Sequence, residues 1–444
     1  MLRLSSAGGC PAKRREAGFG PQAGTMAGPI SRPEPVPFGP APTLIAAIVC
    51  APIVLSFLPQ ALDSAMSLPR NPQRILLIRP SALGDVCRSV AVLASLRDAY
   101  PQATIDWVVQ EEFAPAVAAH PALNQVIGFP RSRLARWWKD PRALAEAVRW
   151  FGNLRRRKYD LAIDCQGLGR SGLMCFATGA PIRAGLRSAR EFGWLGYNLR
   201  LPRDRSTPLP VHTVDQMLLV IKEFGITPLR DLRLYAGEQD RAWWQSQRAA
   251  WREPQSPYAV IAPTSRWLSK RWPIERFAQL IEPLAARGFG CVCVIGSPGE
   301  AEQVQPLFAP SVSSSVAPGF LVNLVGQTTI GQTMAVIAQA GLVIANDSAP
   351  LHMGVGFDRP CVGLFGPTDP AAVGPYQRDD AVVRGYHASP GETINFKDPK
   401  LGDSLMRFIS TVAVVQGIDR ALAHSSRRSG ETAATAHTAA KAVS

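Results

Sequence analysis

The stretch Gly341-Leu-Val-Ile-Ala-Asn-Asp-Ser-Ala-Pro-Leu-His352 decides the fold of the second half of the chain. Its opening run is uninterrupted and apolar, which is typical of a strand buried on both faces of a parallel sheet. The strand should end at Asn346-Asp347, with Ser348 capping a short helix and Pro350 in its first turn. Ligands of open α/β sheets bind at the carboxyl ends of strands, and a helix N-terminus favours phosphate. The stretch therefore predicts a phosphate-bearing ligand or, as the simpler alternative, an ordinary strand-to-helix turn.

A second strand and turn lie much earlier in the chain. The apolar run Arg74-Ile-Leu-Leu-Ile78 leads into Arg79-Pro-Ser-Ala-Leu-Gly-Asp85, and an amphipathic helical pattern covers 86–100. Asp85 would then lie in the first turn of a helix, where a carboxylate complements the helix dipole. The same carboxylate could be a general base that takes a proton from a substrate hydroxyl. The local sequence leaves both interpretations open.

Length and charge limit the kind of protein. A chain of 444 residues is long enough for two domains with extensions, and its net charge of +14 indicates anionic partners. Those partners are phosphate groups, nucleic acid or an anionic membrane surface. The eight cysteines form no CxxC pair and no cluster at zinc spacing, so we expect reduced thiols, no structural metal and a cytosolic location.

Strands and helices alternate along most of the chain, which predicts parallel sheets covered by helices on both faces. Strands are predicted at 74–78, 104–109, 125–129, 159–164, 182–185, 258–262, 291–295, 321–325, 341–345 and 361–365. Further helices are predicted at 141–158, 212–224, 274–287, 300–307 and 330–340. This pattern gives a domain at 71–226, a polar linker at 227–240 and a second domain at 241–400. A last helix within 401–424 is expected to pack back across the first domain.

The two ends differ from the rest in composition. Residues 1–42 are rich in Gly, Pro, Ala and Arg, which predicts disorder, and the apolar run at 43–58 is interrupted by Pro52. A membrane-spanning helix needs roughly 20 apolar residues, so this run is short for one, although a signal-like or anchoring role is open. We favour a start at Met66 or a dispensable extension over 1–70. Residues 425–444 are expected to form a loose tail.

Taken together, the motifs resemble glycosyltransferase family 9, the lipopolysaccharide heptosyltransferases, and most of all the heptosyltransferase I branch. The resemblance covers about residues 74–408. The matching segments are Ser81-Ala-Leu-Gly-Asp85, Ile105-Asp-Trp-Val-Val-Gln-Glu111, Ile163-Asp-Cys-Gln-Gly-Leu168, Ser188-Ala-Arg-Glu191, Lys270-Arg-Trp-Pro273, Asn346-Asp-Ser-Ala-Pro-Leu-His352 and Gly366-Pro-Thr-Asp-Pro370. It implies an α/β GT-B fold, in which two Rossmann-like domains with parallel sheets face a central cleft. It also implies inverting, metal-independent transfer of a heptose from an ADP-sugar to the Kdo/inner core of lipopolysaccharide.

The resemblance assigns roles to individual residues. Asp85 matches the catalytic base, which favours that interpretation over the dipole one. The residues implied to bind the donor are Thr264, Ser265, Lys270, Glu300, Asp347, Ser348, Ala349, Leu351 and His352. Lys270 would face the diphosphate, with Arg271 as the alternative because the preceding loop is one residue longer than the family pattern. Glu300 would hold the ribose or else be an ordinary first-turn carboxylate, and a lone His such as His352 is more often simply packed.

The acceptor is expected on the basic face of the first domain. Arg131, Arg133, Arg136 and Arg190 would grip the anionic Kdo and lipid A phosphates; the alternative is a solvated run of charges. The resemblance implies no cofactor beyond the nucleotide-sugar co-substrate, which it implies to be ADP-heptose. It also implies a monomer at the cytoplasmic face of the inner membrane, held peripherally.

Three alternatives remain from the sequence. A family 9 enzyme could use another nucleotide sugar and another glycan acceptor. The charge suggests a nucleic-acid-binding protein, yet no RRM, KH, helix-turn-helix or zinc signature is present, so no nucleic-acid partner is expected. The alternating pattern suggests a nicotinamide-dependent oxidoreductase, but no G-x-G-x-x-G follows a strand with an acid about 20 residues further on.

Overall fold

The structure is a computed structural model that describes residues 71–202, 211–386, 394–395 and 397–425. The predictions for 1–70 and for the tail at 426–444 lie outside these residues. All described residues fall within one compact unit. Among the helices of this part of the chain, none has the length and apolar character that crossing a membrane requires.

The first half forms a six-stranded sheet in which every neighbouring pair is parallel. Its strands are β1 Arg74–Ile78, β2 Thr104–Gln110, β3 Gln125–Phe129, β4 Leu161–Asp164, β5 Ile182–Leu186 and β6 Leu199–Leu201. Their order is β3-β2-β1-β4-β5-β6, so the winding direction reverses beside β1. The carboxyl end of β1 therefore opens at the point where such sheets bind ligands.

The second half repeats this arrangement with a second parallel sheet. Its strands are β7 Tyr258–Ala262, β8 Cys291–Val294, β9 Leu321–Asn323, β10 Leu342–Asn346, β11 Cys361–Phe365 and β12 Val382–Arg384. The order is β12-β11-β10-β7-β8-β9, with the reversal between β7 and β10. One apolar cluster contains buried side chains from both sheets, among them Leu77 and Val343. The two halves are therefore packed together.

Helices cover the faces of both sheets. They are α1 Leu83–Arg88, α2 Val90–Ala99, α3 Pro141–Arg156, α4 Gly169–Ala177, α5 Thr213–Glu223, α6 Glu238–Ala249, α7 Ile274–Ala278, α8 Ile281–Ala285, α9 Pro310–Ser313, α10 Ile330–Ala338, α11 Ala349–Gly356, α12 Pro370–Val373, α13 Pro399–Arg407 and α14 over 411–425. Short 3₁₀ helices lie at Glu111–Ala116, Arg133–Arg136, Gly193–Gly196, Leu268–Lys270, Pro298–Glu300, Glu302–Phe308 and Asp379–Ala381.

Several predicted helices are wrong in their continuity. The helix predicted at 86–100 is two helices that meet at Ser89, whose hydroxyl donates to the Asp85 carbonyl at 2.8 Å. The helix at 274–287 is also two, because Pro283 has no N–H to donate to a carbonyl one turn earlier. The predicted helix at 300–307 is 3₁₀, with Pro306 inside it. The predicted linker at 227–240 is too long, since α6 begins at Glu238.

The end of the chain also differs from the prediction. The single helix predicted within 401–424 is two helices, α13 and α14, separated at 408–410. The expectation that it packs across the first domain is wrong. Val414 and Ile418 of α14 belong to the same buried cluster as Val362 and Leu364 of β11, so the helix covers the second sheet. Burial of this apolar stripe on its own sheet is the physical reason.

Candidate active site

The turn after β1 and the turn after β10 lie directly against each other. A Cβ atom on Gly84 in α1 would lie 3.5 Å from the Ala349 Cα and 2.9 Å from the Cδ2 of His352 in α11. Only a glycine leaves room for this approach. Asp85, in the first half of the chain, is thereby placed beside the helix of the second half that the sequence predicts to hold phosphate.

Asp85 is held by two arginines. Its Oδ2 lies 2.7 Å from the Arg79 guanidinium, its Oδ1 pairs with the Arg88 guanidinium, and its side chain is 26% exposed. Burial raises the pKa of the Asp85 carboxyl, but the two guanidinium groups outweigh burial and hold this pKa well below its usual range. The group is therefore a carboxylate with an oriented pair of oxygens, ready to accept a hydrogen bond from a hydroxyl at neutral pH.

Sequence analysis missed the roles of these two arginines. Arg79 also donates to the carbonyl of Cys165 at the end of β4, and Arg88 donates to the carbonyl of Val373 at 2.9 Å. Arg88 thus connects Asp85 to the second half of the chain. The spacing of Asp85 and Arg88 by three residues on one helix was a usable signal, since such residues lie on the same helix face.

A second charged pair lies at the carboxyl ends of β10 and β11. Lys270 Nζ lies 2.6 Å from Asp347 Oδ2, and the Thr368 hydroxyl donates to the same oxygen at 2.9 Å. The Asn346 side chain fixes the surrounding backbone, because its Nδ2 donates to the Pro263 carbonyl and its Oδ1 accepts from the Trp272 backbone N–H. Lysine has three N–H donors, so Lys270 can hold Asp347 and still donate to an anion. Sequence analysis assigned no role to Thr368 or Asn346.

The N-terminus of α11 differs in two details from the prediction. The Ser348 hydroxyl donates to the Asn346 carbonyl at 3.1 Å and does not cap the helix. The Leu351 N–H bonds the Ser348 carbonyl at 3.2 Å, and its predicted contact with a diphosphate stays a prediction. The Ser348 and Ala349 N–H groups make no hydrogen bond to any residue that the structure describes. These two donors remain available for an anion at a helix N-terminus.

The loop after β7 separates Lys270 from its alternative. Arg271 donates to the Ser265 carbonyl at 2.7 Å and to Gln303, pointing away from Asp347. Thr264 and Ser265 are buried at the strand end. The Glu300 carboxylate accepts from the Ser297 N–H at 2.7 Å and from its hydroxyl at 2.8 Å, as a first-turn cap does. Lys270 rather than Arg271 therefore contacts Asp347. The role of Glu300 in binding the ribose stays a prediction.

His352 is buried at the contact between α1 and α11. Burial lowers the pKa of its imidazole well below the ordinary value, and the nearby Arg88 lowers that pKa further. Asp85 acts in the opposite direction and is outweighed. The imidazole is therefore neutral at physiological pH and fills the contact as an uncharged ring.

The four predicted acceptor arginines have different surroundings. Arg131 donates to Gln110 at 2.9 Å, and the Gln110 N–H bonds the Pro80 carbonyl in the turn that leads to Asp85. Arg190 lies at the same edge of the sheet, since its backbone N–H bonds the carbonyl of Gly167, just after β4. The Arg136 side chain is exposed and has no ion pair with a described residue. These contacts place Arg131 and Arg190 near the turn that leads to Asp85, whereas no described contact places Arg136 there.

Arg133 does not share this position. Its guanidinium is engaged by Glu111, at 2.7 and 2.8 Å, and by Glu146, at 2.9 Å. These two carboxylates neutralise its charge, so a role in binding an anionic acceptor would need them to be displaced. The basic composition that predicted Arg133 gave no sign of this pairing.

Residues of the kinds that bind metals are not gathered into a site in the part of the chain that the structure describes. There, no group of three His, Cys, Asp or Glu side chains is placed to hold an ion. The six cysteines within the same ranges are buried free thiols.

Comparison with known proteins defines the class. Residues 147–400 match glycosyltransferase family 9 (heptosyltransferase). Lipopolysaccharide heptosyltransferase 1 of Pseudomonas aeruginosa is 31% identical over 315 residues, which cover 69% of this chain and 82% of the relative. Lipopolysaccharide heptosyltransferase 2 of Escherichia coli K12 is 28% identical over 326 residues, covering 71% and 89%. The chain belongs to glycosyltransferase family 9.

A solved structure supports the same assignment. E. coli heptosyltransferase WaaC, solved with ADP-2-deoxy-2-fluoro heptose, superposes with a TM-score of 0.59 at 25% identity, covering 78% of this chain and 99% of that one. The predicted GT-B fold, the predicted family and the prediction of a glycosyltransferase enzyme are thereby confirmed. Both rival classes, the nucleic-acid-binding protein and the oxidoreductase, are set aside.

Proposed function

We propose that this protein transfers a heptose from ADP-heptose to the Kdo of the lipopolysaccharide inner core, with inversion at the anomeric carbon and without a catalytic metal. The observation that carries the proposal is the contact of Gly84 with His352. It brings the carboxylate of Asp85 to the N-terminus of α11, where Lys270 and Asp347 lie. A proton acceptor and an anion-binding helix end thus share one cleft.

The donor would be held by the second half of the chain. Its diphosphate would accept hydrogen bonds from the Ser348 and Ala349 N–H groups and from Lys270, which together offset negative charge. The free oxygen of Asp347 would accept from the sugar hydroxyls, because Thr368 and Lys270 already hold the other oxygen. Thr264, Ser265 and Glu300 would contact the nucleotide end.

The acceptor hydroxyl would approach from the first half of the chain. Asp85 takes its proton while the hydroxyl oxygen attacks the anomeric carbon on the face opposite the diphosphate. The bond from that carbon to the diphosphate oxygen breaks, and ADP leaves with the electron pair. Lys270 and the α11 N–H groups stabilise the charge that builds on ADP. Attack opposite the leaving group inverts the configuration, and the proton on Asp85 then passes to solvent.

The low pKa of Asp85 fits this step in one respect and opposes it in another. It keeps the carboxylate ionised, but a weak base removes a proton poorly. The two arginines therefore orient Asp85 and limit its basicity. A weak base suffices here because the hydroxyl loses its proton only as its bond to the sugar forms, when that proton is most acidic.

Binding of an anionic lipid acceptor would use Arg131 and Arg190, which lie near the turn that carries Asp85, together with the exposed Arg136. An acceptor of this kind requires the enzyme to work at the cytoplasmic surface of the inner membrane. We also propose that the protein acts as a monomer.

A transfer assay tests the function. The purified full-length protein is incubated with a Kdo-bearing acceptor and, in separate reactions, with ADP-heptose, ADP-glucose or UDP-glucose. We expect mass spectrometry to detect the heptosylated acceptor only with ADP-heptose, and NMR to show inverted anomeric configuration. Transfer from another nucleotide sugar in preference to ADP-heptose, or retained configuration, would refute the proposal.

A further inference from the structure

The first half of the chain exposes an unusual group of large apolar side chains. Leu173 and Phe176 on α4 are 49% and 38% exposed, and Phe192 and Leu195, between β5 and β6, are 72% and 60% exposed. Single exposed apolar residues are common, but neighbouring ones indicate an interaction surface. We call these four side chains the apolar surface.

The two segments that carry these residues are in direct contact. A Cβ atom on Gly172 would lie 2.1 Å from the Gly193 carbonyl oxygen, and one on Gly196 would lie 2.0 Å from the Gly172 carbonyl oxygen. Helix α4 and the 3₁₀ turn Gly193–Gly196 are thus packed backbone against backbone. The exposed residues on both segments consequently belong to one region of the protein surface.

The backbone holds Phe192 in this exposed position. Glu191 and Phe192 have φ angles of 54° and 58°, in the left-handed region that residues with side chains rarely adopt. This backbone, packed against the start of α4 at Gly169, presents the large apolar side chain of Phe192 to solvent. Such conformations are found more often at functional positions.

The charge around the apolar surface points to the partner. Residues 169–200 contain five arginines and one glutamate. Three of the arginines lie over aromatic rings: Arg170 at 5.9 Å from Phe129, Arg183 at 5.7 Å from Phe176 and Arg200 at 4.5 Å from Trp194. Apolar side chains that enter the acyl region, bordered by arginines that reach phosphate groups, are suited to the interface of an anionic bilayer.

We propose that the apolar surface docks the folded enzyme onto an anionic lipid bilayer. Arg190 lies between Leu173 and Leu195 in sequence and is one of the proposed acceptor contacts, so docking here would present the cleft to a lipid-anchored acceptor. In this respect the inference rests on the proposed function. Vesicle binding itself does not require transfer activity, so the two can fail separately.

Vesicle co-sedimentation of the full-length protein tests the docking. We expect binding to vesicles of phosphatidylcholine with phosphatidylglycerol, little binding to phosphatidylcholine alone, and weakening by high salt. The double substitution Leu173→Ser with Leu195→Ser should reduce binding about tenfold. The matched control is Phe408→Ser with Val412→Ser, which changes two equally exposed apolar residues in the second half and should bind as wild type does.

Hydrogen exchange locates the contact without a substitution. Amide exchange of the full-length protein, with and without the anionic vesicles, should show protection in peptides covering 169–200. Transfer to a soluble acceptor fragment should be unaffected by the Leu173 and Leu195 changes, whereas transfer to a vesicle-embedded acceptor should fall. The proposal would be overturned if vesicles protected only other peptides, or if both pairs of substitutions reduced vesicle binding equally. Self-association through this surface without vesicle binding would also overturn it.

Discussion

Gly84 and His352 come from different halves of the chain and pack so closely that a methyl group on Gly84 would lie 2.9 Å from the His352 ring. This contact sets the distance between the helix of the proposed base, α1, and the helix of the proposed phosphate site, α11. The buried, neutral imidazole acts as a spacer. In the proposed mechanism, the relative placement of the two substrates therefore depends on Gly84, the residue before Asp85.

Gly84→Ala should lower kcat/KM about 10- to 100-fold, because α1 and α11 must move apart and small misplacements of reacting groups are costly. Affinity for ADP, measured by calorimetry, should be nearly unchanged. Gly152→Ala is the control, since its new methyl group would meet only Arg156 at an ordinary 3.8 Å. Wild-type kcat/KM in Gly84→Ala would show that the contact does not position the substrates.

Arg88→Gln should move the acid limb of the kcat/KM–pH profile to higher pH. Arg88 is one of two cations that depress the pKa of Asp85, so its loss raises that pKa, by about 1–3 units for a neighbouring charge of this kind, and leaves less carboxylate at acid pH. Arg407→Gln, which breaks an exposed pair with Asp403, should leave the profile in place. If the acid limb of Arg88→Gln were unchanged, ionisation of Asp85 would not be what produces that limb.

The same ion pairs predict how stability depends on pH. The pKa of folded Asp85 is depressed, so its ionised form stabilises the native state above the ordinary carboxyl pKa. That stabilisation is lost as pH falls below this value and toward the folded pKa. The free energy of unfolding, measured by chemical denaturation, should therefore differ less between pH 7 and pH 3 in Arg88→Gln than in wild type.

Lys270→Ala should weaken ADP binding by about 1.5–3 kcal/mol, because a charged hydrogen bond to the diphosphate is lost. Asp347→Ala should weaken binding of ADP-heptose more than binding of ADP, since the proposed partners of Asp347 are sugar hydroxyls. Calorimetry with both ligands distinguishes the two effects. Arg271→Ala is the comparison: unchanged ADP affinity in Lys270→Ala together with a loss in Arg271→Ala would transfer the role to Arg271.

A chain that starts at Met66 should melt at the same temperature as the full chain and transfer heptose to a soluble acceptor at the same rate. The reason is that both sheets are built from residues 74–384. Differential scanning calorimetry and the transfer assay provide the comparison. Failure to fold would show that residues 1–65 are part of the working enzyme, whereas loss only on membrane-embedded acceptor would indicate an anchor.

Most of the fold could be predicted because buried parallel strands are apolar runs that end at turn residues. β1, β3, β7 and β11 begin and end where the sequence predicts. The edge strands Leu199–Leu201 and Val382–Arg384 were missed, because each is three residues long and contains an arginine, whereas the equally short β9 lies in a longer apolar run. Helix breaks such as the one at Ser89 were missed because the apolar pattern continues through them.

The candidate site was predictable only in part. Asp85, Lys270 and Asp347 follow strand ends, so their positions could be inferred from the order of elements. The partners of Asp85 could not, because Arg88 reaches Val373, 285 residues away, through packing of the two halves. The bond of the Leu351 N–H to the Ser348 carbonyl and the pairing of Arg133 with Glu111 and Glu146 could not be read from the sequence either.

The role of Asp85 is tested most directly by Asp85→Asn in a purified transfer assay, with ADP affinity measured on the same protein. We expect the rate to fall about 10²–10⁴-fold while ADP affinity stays near wild type, because Asp85 lies on the acceptor side of the cleft. Asn leaves the buried Arg79 and Arg88 without their carboxylate, so the assay is run below the melting temperature of the variant. Asp419→Asn, which breaks an exposed pair with Arg287, should transfer normally. Near-wild-type turnover by Asp85→Asn would contradict the assignment of Asp85 as the base.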